Sequence, residues 1–138
     1  MRNDIVELQF PADARYLVLA RLSLTGVAQT ATWIDAAALT DLKLATTEAC
    51  SNAVRHAYPG GAGEINVRIE LTADRLSVEV SDRGAGFDET KVGDWHAASL
   101  HEQGMGLSII RSVTDELQVG SGVEGAGTTV RFAKHLLG

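Results

Sequence analysis

Four polar residues near the middle of the chain have the types and the spacing of a catalytic site on a helix. Glu48, Asn52, Arg55 and His56 lie three or four residues apart, so they share one side of a predicted helix. Magnesium prefers oxygen ligands and usually takes only one or two of them from protein. The Asn52 amide oxygen meets that need, and the Glu48 carboxylate could then polarise a hydroxyl or a water. A solvated helix face is the alternative interpretation of the same spacing.

A second candidate is Asp82, which ends the apolar side of a predicted strand. Leu76, Val78 and Val80 alternate with polar residues, and Asp82 falls on the same face as they do. A buried carboxylate is costly unless it is hydrogen-bonded, so Asp82 is expected to have a partner. The amino group of adenine is a suitable donor, whereas guanine presents an acceptor at that position. A simple Asp-initiated turn is the alternative.

Glycines follow both candidates in a pattern that would allow close approach of a ligand. Gly84 and Gly86 come directly after Asp82, and Gly104 and Gly106 precede Leu107 at the start of a predicted helix. Free main-chain amides at a helix start, together with the helix dipole, form an anion site. A glycine hinge before an ordinary amphipathic helix would look the same.

One further glycine pattern is a turn rather than a nucleotide site. Gly120 to Gly125 match G-x-G-x-x-G, but a dinucleotide fingerprint must open a helix and needs an acidic residue about 20 positions later. A strand is predicted next instead. The chain also lacks the G-x-x-x-x-G-K-[ST] pattern of a P-loop.

The elements that must position these residues form a predicted α+β domain that covers residues 1–138. Asp13 caps a first helix that Gly26 ends or weakens, and a second helix runs over about 35–56. Two runs of period two form an antiparallel hairpin. The predicted strands are 4–10, 65–71, 76–80, 117–119 and 128–132, and the third helix covers 107–116. The pattern predicts a two-layer α/β sandwich, with one largely antiparallel mixed sheet and helices on one face.

Composition narrows the function classes. The 138 residues carry a formal net charge of -6, which argues against a duplex nucleic-acid binder because such proteins usually have a basic face. One cysteine, Cys50, excludes an internal disulfide and fits a reducing compartment. No signal peptide and no apolar run of about 20 residues is present. We therefore expect a cytoplasmic protein without a membrane segment.

The order of the motifs resembles that of the GHKL ATPases, the superfamily of gyrase, MutL-type repair proteins and histidine kinases. The resemblance covers about 10–132, and the opening from Phe10 to Arg15 is typical of the bacterial anti-sigma factor serine kinases. The matching motifs are Glu48-Ala49-Cys50-Ser51-Asn52-Ala53-Val54-Arg55-His56-Ala57-Tyr58, Asp82-x-Gly84-x-Gly86-Phe87, Gly104-x-Gly106-Leu107 and Gly127-Thr128-Thr129. This resemblance implies the Bergerat-type ATP-binding fold.

The resemblance also implies roles for the matching residues. Asn52 would ligate magnesium, Glu48 would act as general base, and Asp82 would accept from the adenine amino group. Thr128 would support Asp82 through a water, with Thr129 as the weaker candidate. Arg55 would help neutralise phosphate charge, and His56 is either a further site residue or a packed histidine. Gly84, Gly86, Gly104 and Gly106, with Leu107, would shape the phosphate site and an ATP lid at 88–103.

Within the lid, sequence gives no role to Trp95, His96 or His101, and solvated side chains are the expectation. Family members often carry a basic residue before the second glycine pair, whereas His101-Glu102-Gln103 stands there in this chain. A lid contact to the terminal phosphate is therefore in doubt.

By resemblance, the chain phosphorylates a serine on a STAS-domain anti-anti-sigma partner, binds a sigma factor and forms a homodimer. Two alternatives stay open at this point. One is an anti-sigma adaptor that binds ATP without turnover, and the other is a stand-alone histidine-kinase catalytic domain.

Overall fold

The protein is an α+β sandwich built on one five-stranded sheet. The structure, a computed structural model, describes residues 3–56, 63–83, 104–121 and 127–136. The strands are β1 (Asp4–Pro11), β2 (Glu64–Leu71), β3 (Arg75–Asp82), β4 (Glu116–Ser121) and β5 (Thr128–His135). Their order in the sheet is β1-β2-β3-β5-β4, and every strand pair in the described ranges is antiparallel.

The predicted hairpin is confirmed as β2 and β3. The Thr72 main-chain N–H donates to the Arg75 carbonyl at 2.9 Å and closes the turn. Ile69 then lies opposite Val78, so the apolar side chains of both strands share one face. Alternate residues of β2 are buried and exposed, as the period-two sequence requires.

Helices cover one face of this sheet. They are a short 3₁₀ helix (Ala14–Tyr16), α1 (Leu17–Ala28), α2 (Ala36–His56) and α3 (Gly104–Val113). Asp13 caps the 3₁₀ helix because its side chain accepts from the Arg15 main-chain N–H at 2.9 Å. Asp35 does the same for α2, accepting from Ala38 at 2.8 Å. No helix in the described ranges is both long and apolar enough to cross a membrane.

The core lies between the helices and the sheet. Leu42 of α2, Ile110 of α3 and Phe132 of β5 are fully buried in it. An apolar stripe of α2 is buried as well, and it comprises Leu42, Ala45, Ala49 and Ala53. At the rim, Lys134 Nζ lies 3.0 Å from Asp41 Oδ2 and joins β5 to α2.

Two helix boundaries differ from the sequence prediction. Gly26 does not end α1, which continues to Ala28. The third helix begins at Gly104, earlier than the predicted residue 107. It also ends earlier than residue 116, because the Asp115 main-chain N–H donates to the Ala133 carbonyl at 2.8 Å and draws the chain into the sheet. Gly104 and Gly106 consequently lie inside the first turn of α3 rather than before it.

The topology brings the candidate residues to one end of the sandwich. α2 ends at His56, and β2 begins at Glu64, only a short connection later. Ile65 near the start of β2 pairs with Asp82 at the end of β3, and β5 begins beside it at Thr128. The C-terminal end of α2 and the end of β3 therefore lie at the same edge of the molecule.

The single cysteine of the sequence provides a check on this packing. Cys50 faces the core from α2, and burial raises the pKa of its thiol from 9.0 to about 12, with the nearby Arg21 offsetting part of the rise. Because the thiolate is the reactive form, alkylation at pH 8 should be at least about a thousandfold slower in the native protein than in urea. Iodoacetamide labelling followed by mass spectrometry measures both rates. Equal rates would contradict the burial of Cys50.

Candidate functional site

Asp82 is a buried carboxylate at the end of β3. Its exposed fraction is 6%, and it lies on the helix-covered face with Val80 and Val78, as the alternation predicted. The Thr128 main-chain N–H donates to Asp82 Oδ1 at 3.2 Å. This bond supplies part of the compensation that a buried charge requires. It also fixes the direction of the carboxylate relative to the start of β5.

Gly127 allows the start of β5 to lie directly against the end of β3. It was not among the predicted site residues. Its φ is +75°, and a Cβ placed on it would lie 1.8 Å from the Asp82 carbonyl oxygen and 2.7 Å from Arg83 Cα. Only glycine accepts both the backbone conformation and the main-chain contact. The available signal was its place in the Gly127-Thr128-Thr129 motif, directly before a predicted strand.

Thr128 and Thr129 point to opposite faces of the sheet. Thr129 pairs with Ser81 and Gly120, which alternate away from the face of Asp82. Thr128 is half-buried on the face of Asp82 and contacts it through the main chain. The predicted contribution of its hydroxyl through a water stays a prediction.

Glu48, Asn52 and Arg55 share one side of α2, as their spacing predicted. Glu48 and Asn52 are half-buried and Arg55 is exposed. Arg55 Nη2 donates to Asn52 Oδ1 at 2.8 Å. In the part of the chain that the structure describes, no hydrogen bond or salt bridge engages the Glu48 carboxylate. His56 is the last residue of α2, and the structure does not describe its side chain.

Gly106 connects this side of α2 to the start of α3. A Cβ at Gly106 would lie 2.7 Å from Asn52 Nδ2 and 3.2 Å from Oδ1. The α3 backbone therefore packs directly against the Asn52 amide, and Gly106 and Leu107 are both buried there. Two clusters that are about 50 residues apart in sequence thus form one site.

The helix ends at this site carry opposite partial charges. α2 presents its C-terminal end, which favours cations, and α3 presents its N-terminal end, which favours anions. Among the described residues, no group of three His, Cys, Asp or Glu side chains could hold a metal ion alone. The donor set instead suits a magnesium ion that takes one amide oxygen from Asn52 and its other ligands from phosphates and water.

Several predicted residues lie outside the described ranges. They are Gly84, Gly86 and the lid at 88–103 with Trp95, His96 and His101. Gly104 is described only as the first residue of α3. The first residue of the G-x-G-x-x-G pattern, Gly120, lies within β4, and the next described element along the chain is the strand β5. This agrees with the prediction that the pattern is not a dinucleotide fingerprint.

Comparison with known proteins decides the family. The family model of the histidine kinase-like ATPase domain matches residues 10–134. This chain belongs to that family. The ATPase-type resemblance of the sequence is thereby confirmed.

Within the histidine kinase-like ATPase family, the chain groups with serine-protein kinases. It is 38% identical to serine-protein kinase RsbW of Bacillus velezensis over 98% of this chain and 88% of the relative. It is 35% identical to serine-protein kinase RsbW of Staphylococcus aureus strain JH9 over 98% of this chain and 89% of the relative. The predicted anti-sigma serine kinase branch is the one these relatives support.

Solved structures confirm the fold of this family member. The histidine kinase domain of the Erythrobacter litoralis EL346 blue-light activated histidine kinase matches with a TM-score of 0.58 at 21% identity, over 92% of this chain and 62% of that domain. The mycobacterial sensor histidine kinase MprB matches with a TM-score of 0.57 at 17% identity, over 96% of this chain and 97% of that chain.

The Gly127 contact generates a stability prediction. Gly127→Ala should lower the free energy of unfolding by about 2–4 kcal/mol, because the new methyl group meets the Asp82 main chain and the backbone is left-handed. Gly120→Ala is the matched control, since a Cβ added at Gly120 would meet no described atom within 4 Å. Urea denaturation measures both variants. A Gly127→Ala protein as stable as the control would show that Gly127 does not lie in close contact with the Asp82 main chain.

Proposed function

We propose that the chain is an ATP- and magnesium-dependent protein serine kinase that acts as an anti-sigma factor. The observation that carries this proposal is the arrangement along α2. Glu48 stands one helical turn before Asn52, and Asn52 packs against the first turn of α3. A base, a metal ligand and an anion-favouring helix end thus meet beside a buried carboxylate. The similarity to serine-protein kinases over 98% of the chain supports the same reaction.

Asp82 is proposed to select adenine. Its carboxylate is buried on the helix-covered face and takes one hydrogen bond from the Thr128 main chain. A carboxylate has capacity for further donors, and the amino group of adenine is one. Because a 6-oxo purine presents an acceptor instead, the same carboxylate would disfavour it. Asp82 therefore accounts for base specificity rather than for catalysis.

Asn52 is proposed to hold the metal through its amide oxygen. Bound magnesium supplies charge neutralisation to the triphosphate. The protein contributes the position of the oxygen, which Gly106 fixes by packing against the amide. The start of α3 presents main-chain amides to the phosphates, and Arg55 adds a positive charge on the same side of α2.

Glu48 is proposed as the general base for a serine hydroxyl. Its carboxylate is half-buried, and the described residues leave it without an ion pair. The proton of the attacking hydroxyl would pass to a Glu48 oxygen as the serine oxygen bonds to the terminal phosphorus. The bond from that phosphorus to the β–γ bridging oxygen would break at the same time, and ADP would leave with the bonding electrons. Positioning supplies most of the rate in such transfers, and a well-placed base contributes about 10²- to 10⁴-fold.

The partners follow from the same proposal. The acceptor is a serine on a STAS-domain anti-anti-sigma protein, and the second partner is a sigma factor that the kinase binds as a cytoplasmic homodimer. The net charge of -6 agrees with a protein partner rather than with direct binding to DNA. Labelled ATP with a candidate STAS protein tests the reaction: label on serine supports it, and label on histidine or no label supports one of the alternatives above.

Replacement of Glu48 separates binding from chemistry. Glu48→Gln keeps the shape of the side chain and removes the base, so phosphorylation of the STAS protein should fall by about 10²- to 10⁴-fold. The affinity for ATP should stay within about threefold, because the carboxylate does not hold the nucleotide. Single-turnover transfer and calorimetry measure the two quantities. Glu70→Gln on β2 is the matched control, and a Glu48→Gln enzyme as fast as this control would exclude the base role.

Replacement of Asp82 tests base selection. Asp82→Asn keeps one oxygen to accept from Thr128 and puts an amide donor where the adenine amino group would donate. The affinity for ATP should fall about ten- to a hundredfold, while inosine triphosphate, which has a 6-oxo acceptor, should lose less or gain. Competition binding with both nucleotides measures the ratio. Asp74→Asn, at the opposite end of the hairpin, is the control, and an unchanged ratio would remove Asp82 from the base site.

A further inference from the structure

Arg55 occupies the oxygen that the proposed function assigns to the metal. Its Nη2 donates to Asn52 Oδ1 at 2.8 Å, across one turn near the C-terminal end of α2. The Asn52 amide has one oxygen, and a guanidinium and a metal ion that both bind this oxygen would lie side by side as like charges. The hydrogen bond and the metal bond are therefore directed at one atom.

We propose that Arg55 is a stand-in cation for the metal, bound to Asn52 Oδ1 in the nucleotide-free protein and displaced when the metal–nucleotide complex enters. This inference rests on the proposed function, because it needs Asn52 as the metal ligand. It adds an order to binding: the oxygen becomes available to magnesium only when the triphosphate offers Arg55 another partner. Arg55 is in this sense a positioning residue.

The Asn52 side chain has little room on the side of α3. Gly106 packs so closely against the amide that an added Cβ would lie 2.7 Å from Nδ2, 3.2 Å from Oδ1 and 3.3 Å from Cγ. Asn52 is also half-buried in the α2–α3 contact. Backbone lies against one side of the amide, whereas Arg55 is exposed, so Arg55 is the group with more freedom to leave.

Arg55 is able to leave because its side chain is exposed. It lies in the last turn of α2, and its long side chain has several rotatable bonds. A metal ion beside a guanidinium would suffer like-charge repulsion even in a polar environment. A triphosphate removes that repulsion, since its anionic oxygens bind both cations and guanidinium forms strong hydrogen bonds with phosphate.

The C-terminal end of α2 explains why a cation belongs there in both states. The last carbonyls of a helix lack internal partners and favour positive charge. In the free protein, Arg55 supplies that charge, and in the complex the metal shares it. Metal alone is expected to bind poorly, because it must displace a cation without giving that cation a new partner.

Binding of Mn²⁺ in the absence of nucleotide tests the proposal directly. Arg55→Met removes the charge and the donors but keeps an unbranched side chain suited to a helix. We expect Arg55→Met to bind Mn²⁺ about fivefold more tightly than the wild type, as measured by water proton relaxation. The same variant should bind ADP more weakly in EDTA, because the phosphate contact is lost. Arg111→Met, on the exposed side of α3, should match the wild type in both assays.

The opposite signs of these two effects exclude a merely structural role, which would weaken both. Asn52→Ala separates this inference from the proposed function. If Asn52→Ala leaves the magnesium dependence of ADP binding unchanged, the metal assignment fails, and the inference fails with it. If Asn52→Ala abolishes that dependence but Arg55→Met binds Mn²⁺ no more tightly than the wild type, only the stand-in role of Arg55 is overturned.

Discussion

The burial of one carboxylate constrains much of this end of the molecule. Asp82 is almost fully removed from solvent, and a charge in that position needs donors with fixed directions. The Thr128 main chain provides one, but only because β5 begins directly beside the end of β3. That placement requires Gly127 to adopt a left-handed conformation against the Asp82 carbonyl group. Strand register, a glycine and a buried charge are thus parts of one constraint.

A second close approach joins the helices in a similar way. Gly106 lets the first turn of α3 rest on the Asn52 amide, and this contact brings the negative end of α2 to the positive end of α3. A magnesium–phosphate group has the matching arrangement of charge, with a cation next to anions.

The face of the sheet that the helices leave uncovered has a different charge pattern. Among the described strands, charges of alternating sign cross this face in one row, at Glu7, Arg68, Glu79 and Arg131. Those side chains can neutralise one another, as Arg68 and Glu7 do at 3.4 Å.

Elements with a clear period were predictable from the sequence, and contacts between distant backbones were not. The β2–β3 hairpin and α2 follow from repeats of two and of three to four residues. The end of α3 was wrong because the bond from Asp115 to the Ala133 carbonyl, a tertiary contact, decides it. Gly127 was missed as a site residue because its spatial neighbour Asp82 is far away along the chain. Asp82 itself could be found, because a carboxylate on an apolar strand face is anomalous in the sequence alone.

The spacing along α2 explains how a base and a cation can share one helix face. Glu48 and Arg55 are separated by about two helical turns, which is about 10 Å along the helix axis and beyond the spacing of three or four residues at which side chains on a helix normally pair. Asn52 lies between them and takes the hydrogen bond from Arg55. A carboxylate paired with arginine would be a poorer base, because an adjacent positive charge favours its ionised form. While Arg55 is bound to it, the amide keeps the guanidinium away from Glu48, and its oxygen is also the atom that a cation needs. A positively charged residue at position 52 would lose both effects, because it would repel Arg55 and has no acceptor oxygen.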